Sequence, residues 1–470
     1  MSTATWQAKV QAKQAEGEAK IPLEWRLPAS LLATADPLSP ECVLSVPREC
    51  GLLTERELAI TETADATALL AQLAAREYSA VEVARAFCKR AAIAQQLTQC
   101  LTETFFEQAL ARAEELDTHL ATTGRVVGPL HGLPVSLKDM FEVAGVASTL
   151  GYVAFLDRPV AAANTPLVDV LVAAGAVLYV KTNVPQTLMT ADSHNNVFGR
   201  VLNPHRRTLT AGGSTGGEAA LVALRGSLLG VATDIGGSIR IPAHCCGLVG
   251  FKPSVGRVPS TGLMSPGPAG YLSGISGVVG PIAHSVRDAN LFMKTVCDVR
   301  PDDFDDTALG IPWTLEGPSG TDDRGDKLRI GLFTAHPDLP LHPNIARNLH
   351  RAAEKLAAAG HEIVDITEQL PSMEDANATA CGLFSLDADR TSLSHLAVAG
   401  EPSIPSSNLV IERRGSTPDP TLRDLFRLTA RKAEITARTR RVFVDSKLDL
   451  ILAPAYQSCA PVHDTYSHLC

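Results

Sequence analysis

The spacing of apolar and polar residues divides the sequence into a helical part and a part where two periodicities alternate. From Ala64 to about Leu120, apolar residues recur every three or four positions, as on one face of an α-helix. Within this stretch Ser79 is followed three positions later by Glu82, a capping-box sequence that marks the start of a helix. The pattern predicts a helical region up to about residue 120.

Beyond residue 120, short apolar runs alternate with segments of helical spacing. The predicted strands lie at residues 133–138, 176–181, 227–234, 328–333 and 448–454. The predicted helices lie at 165–175, at 218–226 and within 344–366, and Gly175 and Gly226 are expected to end the first two. This alternation predicts an α/β fold, an α/β/α sandwich in which helices cover both faces of a large mixed sheet.

Composition and charge restrict the class of protein without indicating a function. The chain has 470 residues, of which 45% are hydrophobic and 20% are charged, as in globular proteins. The 42 Lys and Arg residues against 51 Asp and Glu give a net charge of −9, and no basic block occurs. A nucleic-acid partner is therefore not expected.

The N-terminus and the uncharged segments argue against export and membrane association. Residues 1–20 are polar and lack the apolar stretch of a signal peptide, and the uncharged run 258–283 is rich in Gly, Pro and Ser. We expect a cytoplasmic protein with no membrane partner. The ten cysteines form no CxxC pair, and His and Cys show no ligand spacing, so neither a disulfide framework nor a metal site is predicted.

The predicted organisation is an arm, one large domain and a short end segment. Residues 1–60 form a helical or extended N-terminal arm, and residues 61–457 form the main domain. Within that domain the segment 301–326 is acidic and rich in Asp, Gly and Pro, so we expect it to be a surface excursion. Residues 458–470 form the C-terminal end.

Glycine is concentrated in AGGSTGGEAA, residues 211–220, where a predicted helix begins. Glycine-rich loops in this position often bind phosphate through backbone N–H groups and the helix dipole. Here no Lys-Ser/Thr pair follows, and Glu218 places an acid where the anion would lie. Phosphate binding is therefore the weaker interpretation of these glycines.

A second glycine-rich turn, TDIGGSIRIP at residues 233–242, follows a predicted strand and exposes Ser238. A hydroxyl beside several N–H groups suits acyl transfer, because the hydroxyl attacks a carbonyl and the N–H groups stabilise the resulting oxyanion. The base for such a nucleophile is either one of the thirteen histidines or Lys138, at the end of the strand 133–138. A lysine can accept a proton at neutral pH only if burial lowers its pKa.

Three segments together resemble the signature of the amidase signature family of serine hydrolases. They are HGLPVSLKD (131–139), AGGSTGGEAAL (211–221) and the long block at 233–262. Further segments resemble the fungal acetamidase and general amidase branch of that family. The resemblance implies an α/β enzyme that hydrolyses a carboxamide to a carboxylate and ammonia through an acyl-serine intermediate.

The resemblance also implies a role for individual residues. Ser238 matches the nucleophile, Lys138 the general base, and Ser214 a bridging serine that follows a cis peptide bond and carries the proton between them. The implied oxyanion hole consists of the backbone N–H groups of Ile235, Gly236, Gly237 and Ser238. The implied supporting residues are Asp234, Arg240, Gly213 and Thr215. Asp234 and Arg240 are expected either to form an ion pair beside the nucleophile or to fix the turn.

The implied partner is a small-molecule amide, without a cofactor or a metal, and a homodimer is compatible with the sequence. An apolar acyl group is expected, because Met189, Leu263, Met264 and Tyr271 lie in segments that would line the pocket. Two alternatives stay open. One is a transamidase on the same fold. The other is an inactive, C-terminally truncated amidase-like protein, because family members usually continue beyond a segment like 450–470.

Overall fold

A computed structural model describes residues 5–33, 41–268, 270, 274–314, 327–336, 339–408, 411 and 419–465. The described helices are α1 (Trp6–Ala19), α2 (Ala29–Ala33), α3 (Val46–Glu49), α4 (Glu55–Thr61), α5 (Ala66–Ala74), α6 (Ala80–Thr98), α7 (Phe106–Thr123), α8 (Pro166–Ala173), α9 (Gly216–Ala223), α10 (Arg240–Cys246), α11 (Val286–Cys297), α12 (Pro343–Ala358), α13 (Met373–Phe384), α14 (Thr391–Ala399) and α15 (Leu422–Asp445). The described strands are β1 (Leu101–Thr104), β2 (Pro134–Lys138), β3 (Val177–Thr182), β4 (His194–Asn195), β5 (Gly199–Arg200), β6 (Leu229–Asp234), β7 (Val249–Gly250), β8 (Val278–Ala283), β9 (Arg329–Leu332), β10 (Glu362–Asp365) and β11 (Leu450–Leu452).

The main sheet has six strands in the order β1-β3-β2-β6-β8-β7. Its centre is parallel, because β2 runs parallel to both β3 and β6, whereas β1, β8 and β7 pair antiparallel with their neighbours. Helices α6, α7, α9 and α11 pack on this sheet. The predicted α/β fold with a mixed sheet and helical layers is confirmed.

The strands do not all join one sheet. Among the described residues, β10, β9 and β11 form a separate three-stranded parallel sheet, and β4 pairs only with β5. Apolar runs predict that a strand exists, but they do not specify its partners, which are set by contacts between distant parts of the chain. The described strands therefore form three sheets, of six, three and two strands, whereas the prediction placed all strands in one large sheet.

Two local predictions are corrected by the structure. The region predicted as helical up to residue 120 contains β1, because Leu101–Thr104 is recruited to the sheet edge by pairing with β3. Helix α9 begins at Gly216, two residues earlier than predicted, and ends at Ala223. The residue that adopts the left-handed conformation after the end of α9 is Arg225, with φ of 56°, and not Gly226, which was expected to end the helix. The capping box at Ser79 and Glu82 is confirmed at the start of α6.

A single large apolar core joins the helices to the central strands. It contains buried residues of α6 such as Phe87 and Ile93 and, from the middle of the sheet, Val135 and Val231. Ile21, Trp25 and Leu27 of the predicted N-terminal arm pack in the same core. The division into an arm and a main domain stays a prediction, but the described part of the arm shares its core with the sheet that carries the site.

The predicted surface excursion is described only up to residue 314, where Phe304, Leu309 and Ile311 are exposed. Residues 315–326 lie outside the described residues. Over the part of the chain that the structure covers, no helix is both long enough and apolar enough to cross a bilayer. The carboxyl ends of the parallel strands β2 and β6 lie side by side, and the predicted site residues lie at this edge.

Candidate active site

Lys138 is the last residue of β2, and its side chain is completely buried. Its Nζ lies 2.8 Å from Ser214 Oγ and 2.8 Å from Thr233 Oγ1, which belongs to the neighbouring strand β6. The Thr233 hydroxyl donates its own proton to Met140 Sδ at 3.3 Å, so it accepts a hydrogen bond from the lysine. The contact between Lys138 and Ser214 joins the sheet to the glycine-rich loop.

Burial lowers the pKa of Lys138 to about 7, although the charges of Asp234 and Glu218 act in the opposite direction. A large fraction of this lysine is therefore neutral at neutral pH, and a neutral amine has a lone pair that can accept a proton. A pKa lowered by burial is the property that a lysine needs in order to act as a base at neutral pH.

Ser214 is held in a buried loop directly before α9. Only 3% of its surface is exposed, and the peptide bond between Gly213 and Ser214 is cis, as the family resemblance implied. The loop approaches the rest of the chain closely at Gly217, where a Cβ would lie 2.4 Å from the backbone nitrogen of Asn183 and 2.5 Å from the carbonyl oxygen of Cys100. Glycine at this position lets the first turn of α9 pack against the strand ends beside Lys138.

The turn that carries Ser238 connects β6 to α10 and is organised by the buried carboxylate of Asp234. Asp234 accepts hydrogen bonds from the N–H groups of Gly237 at 2.8 Å and Ile239 at 3.1 Å, and from the guanidinium of Arg240 at 3.0 Å. Burial alone would raise the pKa of Asp234, but Arg240 and the backbone donors hold it below its usual value. The two residues thus form an ion pair and also fix the turn.

The four predicted oxyanion donors are not equivalent. The N–H of Gly237 is engaged by Asp234, whereas those of Ile235, Gly236 and Ser238 have no acceptor among the described residues. Gly236 is exposed and Ser238 is half-buried, so a substrate can reach this part of the turn. The buried carboxylate therefore leaves three of the four N–H groups available.

The structure brings Lys138 and Ser214 into contact but records no hydrogen bond from the Ser238 hydroxyl within the described chain. The Ser214 to Ser238 link accordingly stays a prediction. No histidine among the described residues is hydrogen-bonded to either serine. The same part of the chain contains no group of three His, Cys, Asp or Glu side chains arranged as metal ligands.

The pocket residues suggested by the sequence have different environments. Met264 joins a buried cluster with Leu150, Tyr152, Phe155 and Leu396, and Met140 packs against this cluster. Leu263 instead packs against the main core, Met189 is half-buried, and Tyr271 lies outside the described residues. An apolar region thus adjoins the lysine, because Met140 contacts Thr233.

Sequence reasoning did not identify two polar residues that surround Lys138. Thr233 contacts the amine directly, and its only signal in the sequence was its place just before Asp234. Glu218 was considered only as an argument against phosphate binding, yet its buried carboxyl accepts hydrogen bonds from Ser136 and Thr182. Sequence spacing cannot show that Thr233 and Glu218 lie near Lys138, because the residues of this network come from four separate elements, β2, β3, β6 and α9.

Comparison with known proteins identifies the family of this chain. The sequence model of the Amidase family matches residues 82–469. An amidase from Gibberella moniliformis is 42% identical over 473 residues, which cover 100% of this chain and 87% of that protein. The chain belongs to the amidase family. Members of the amidase family hydrolyse amide C–N bonds, and this chain is such a hydrolase.

Two other members of the amidase family agree with this assignment. An acetamidase from Emericella nidulans is 40% identical over 411 residues, which cover 86% of this chain and 71% of that protein. A solved structure of fatty acid amide hydrolase superimposes with a TM-score of 0.90 at 32% identity, and the match covers 99% of this chain and 80% of that one. Both the sequence family and the fold are therefore those of the amidase signature enzymes.

Proposed function

We propose that this amidase hydrolyses a carboxamide to a carboxylate and ammonia through an acyl-enzyme on Ser238, with Ser214 and Lys138 as proton carriers. The observation that carries the proposal is the 2.8 Å contact between Ser214 Oγ and the buried amine of Lys138. The pKa of this amine, lowered by burial to about 7, allows it to take up and return a proton near neutral pH.

In the acylation step, neutral Lys138 accepts the Ser214 proton while Ser214 accepts the proton of Ser238. Ser238 Oγ bonds to the substrate carbonyl carbon, and the carbonyl oxygen becomes an oxyanion. The free N–H groups of the turn stabilise this charge, and each donor lowers the barrier by about 3 kcal/mol. The proton then returns from Lys138 through Ser214 to the amide nitrogen, the C–N bond breaks and ammonia leaves.

In the deacylation step, water attacks the ester carbonyl of acyl-Ser238. The same relay takes the proton of the water through Ser214 to Lys138, and then returns it to Ser238 Oγ as the ester C–O bond breaks. The carboxylic acid leaves and ionises in water. The enzyme ends with neutral Lys138, as it began.

The apolar surroundings of the site support a substrate with an apolar acyl group. Met140 connects the lysine, through Thr233, to the cluster around Met264. The ring of Phe384 lies 3.7 Å from where a Cβ on exposed Gly236 would stand, so an aromatic ring adjoins the turn that carries Ser238. An acyl chain bound against these apolar groups leaves water, and each buried methylene contributes roughly 0.8 kcal/mol.

The proposal is tested by intact-mass spectrometry after incubation with a fluorophosphonate serine probe. Wild-type protein should gain the mass of one phosphonyl group, and Ser238→Ala should abolish this gain. Lys138→Ala and Ser214→Ala should slow labelling by at least about 100-fold, because the nucleophile loses its base. Wild type should also release ammonia from short primary amides.

Ser254→Ala is the matched control, because Ser254 is exposed in another turn and should label as wild type does. Persistent labelling of Ser238→Ala would show that another residue is the nucleophile. A folded wild-type protein that neither labels nor releases ammonia would favour the inactive alternative.

A further inference from the structure

Glu218 is a completely buried acid close to the catalytic lysine, and the relay above does not use it. It lies in the first turn of α9, four residues after Ser214. Its Oε2 accepts a hydrogen bond from Ser136 Oγ at 2.6 Å, and its Oε1 accepts one from Thr182 Oγ1 at 3.1 Å. A buried carboxyl with two hydroxyl partners needs an explanation beyond packing, because its ionised form is strongly disfavoured without a nearby cation.

The strand register places this carboxyl on the same face of the sheet as the lysine. Ser136 and Lys138 are two residues apart in β2, so their side chains share a face, roughly 7 Å apart. Thr182 of β3 lies opposite Lys138 in the register. Both hydroxyls that hold Glu218 therefore belong to the immediate surroundings of Lys138.

The neighbouring strand β6 leaves room for the carboxyl. Gly230 lies opposite Ser136, and a Cβ at Gly230 would stand only 2.2 Å from Glu218 Oε2. Any larger residue at this position would displace the acid from its place beside β2. The glycine thus has a specific function in the interior of a strand, where it otherwise weakens the sheet.

The hydroxyl network can satisfy Glu218 in either protonation state. When the carboxyl is ionised, Ser136 and Thr182 donate to it. When it is protonated, it can donate to Ser136, which lies 2.9 Å from Ser227 Oγ, and Ser227 can donate to the carbonyl oxygen of Leu229 at 3.0 Å. In both cases every hydroxyl has a partner, because a serine can donate and accept at once.

Among the described residues, Lys138 is the cation that acts on Glu218. The other titratable groups that face it are Cys100 and Tyr179, and burial raises the pKa of the thiol to about 12 and that of the phenol well above its usual value. Both therefore stay neutral. Asp234 acts on Lys138 from the end of β6.

We propose that Glu218 is a positioning residue whose carboxyl, held by β2 and β3, controls the protonation of the catalytic lysine. This inference rests on the proposed function of Lys138 as the base. When Glu218 is ionised it favours the charged ammonium, and when it is protonated it releases the neutral amine. Burial raises the pKa of Glu218, whereas the donors Ser136 and Thr182 and the charge of Lys138 lower it, so the carboxyl ionises most readily while the amine is protonated.

The test is the pH dependence of the labelling rate with a fluorophosphonate probe, whose fluoride leaving group needs no protonation, so the rate reports the base alone. In wild type the rate should rise with pH to a plateau, with a midpoint near 7. In Glu218→Gln, which keeps the shape and hydrogen-bonding capacity, the midpoint should fall by about one pH unit, because the amine loses an attracting charge. Relative to each plateau, the rate at pH 6 should then be about five times higher than in wild type.

Asp288→Asn is the matched control, because Asp288 is also a buried carboxyl with a raised pKa, but its hydrogen-bond donors are the N–H groups of Ala66 and Thr67 at the start of α5 and not the strands that hold Glu218. Its midpoint should stay at the wild-type value. A folded Glu218→Gln protein with the wild-type midpoint would overturn the proposal.

If Glu218→Gln does not fold, Ser136→Ala decides the question. It removes a donor that favours the ionised carboxyl, so it should lower the midpoint by a smaller amount, and an unchanged midpoint would refute the role of Glu218. Absence of Ser238 labelling in wild type at every pH would contradict the proposed function instead, so the two failures are distinguishable.

Discussion

Lys138 shows how one residue can be useful for chemistry and unfavourable for stability. The amine is completely buried, and burial lowers its pKa from 10.5 to about 7. Between these two values the unfolded chain binds a proton that the folded chain does not. The lysine therefore destabilises the fold fully below about pH 7, and the penalty disappears as the pH rises towards 10.5.

We predict that Lys138→Met raises the free energy of unfolding by about 2–3 kcal/mol at pH 7 while it abolishes amide hydrolysis. Methionine fills a similar volume without a charge, and the lost contacts to Ser214 and Thr233 offset part of the gain. Urea denaturation at pH 7 and pH 9.5 measures the effect, and the difference from wild type should shrink at the higher pH. A variant less stable than wild type at pH 7 would show that the site stabilises the ammonium.

At the scale of elements, the turn between β6 and α10 depends on one buried acid. Asp234 ends β6 and binds the N–H groups of Gly237 and Ile239, so Ser238 between them is held from both sides. Arg240 at the start of α10 completes the arrangement, but more than half of its side chain is exposed. The two partners of this ion pair therefore contribute unequally.

Asp234→Ala is expected to lower the free energy of unfolding by about 2–3 kcal/mol, because it leaves two buried N–H groups without acceptors. It should also slow labelling of Ser238, because the turn loses its geometry. Arg240→Ala should cost less than about 1 kcal/mol, because Asp234 keeps its backbone donors. Chemical denaturation and labelling of both variants provide the comparison, and equal effects would refute the dominant role of Asp234.

At the scale of the whole molecule, the N-terminal helix α1 covers an edge strand of the main sheet. Glu103 of β1 is almost completely buried, and its carboxylate pairs with Lys13 at 2.6 Å and with Lys20 at 3.1 Å. An uncovered edge strand exposes unpaired backbone groups to other chains. These ion pairs attach the arm to the edge of the sheet whose central strands, β2 and β6, carry the site.

Replacement of both lysines, in Lys13→Ala/Lys20→Ala, should lower the free energy of unfolding by about 2 kcal/mol, because Glu103 is left buried without a cation. Addition of Glu103→Gln should restore most of this loss. Lys9→Ala is the control on the same helix, since its partner Asp157 is largely exposed, and it should change stability by less than about 0.5 kcal/mol. Thermal unfolding measures all three, and a failure of Glu103→Gln to restore stability would contradict the explanation.

The sequence alone determined the elements and the chemistry that are encoded locally. The helix α6 with its capping box, the apolar strands β2, β3 and β6, and the glycine-rich loops around Ser214 and Ser238 all depend on neighbouring residues, and these predictions hold apart from shifted ends. The resemblance of three segments to the amidase family is likewise local, and the family is confirmed.

Only the tertiary structure decided what depends on residues far apart in the chain. It made Leu101–Thr104 an edge strand, because pairing with β3 outweighs the local helical pattern. It engaged the N–H of Gly237 with Asp234 and placed Thr233 and Glu218 around Lys138. The pKa of Lys138 is the clearest case, because desolvation depends on every group packed around the amine, and no stretch of sequence specifies that environment.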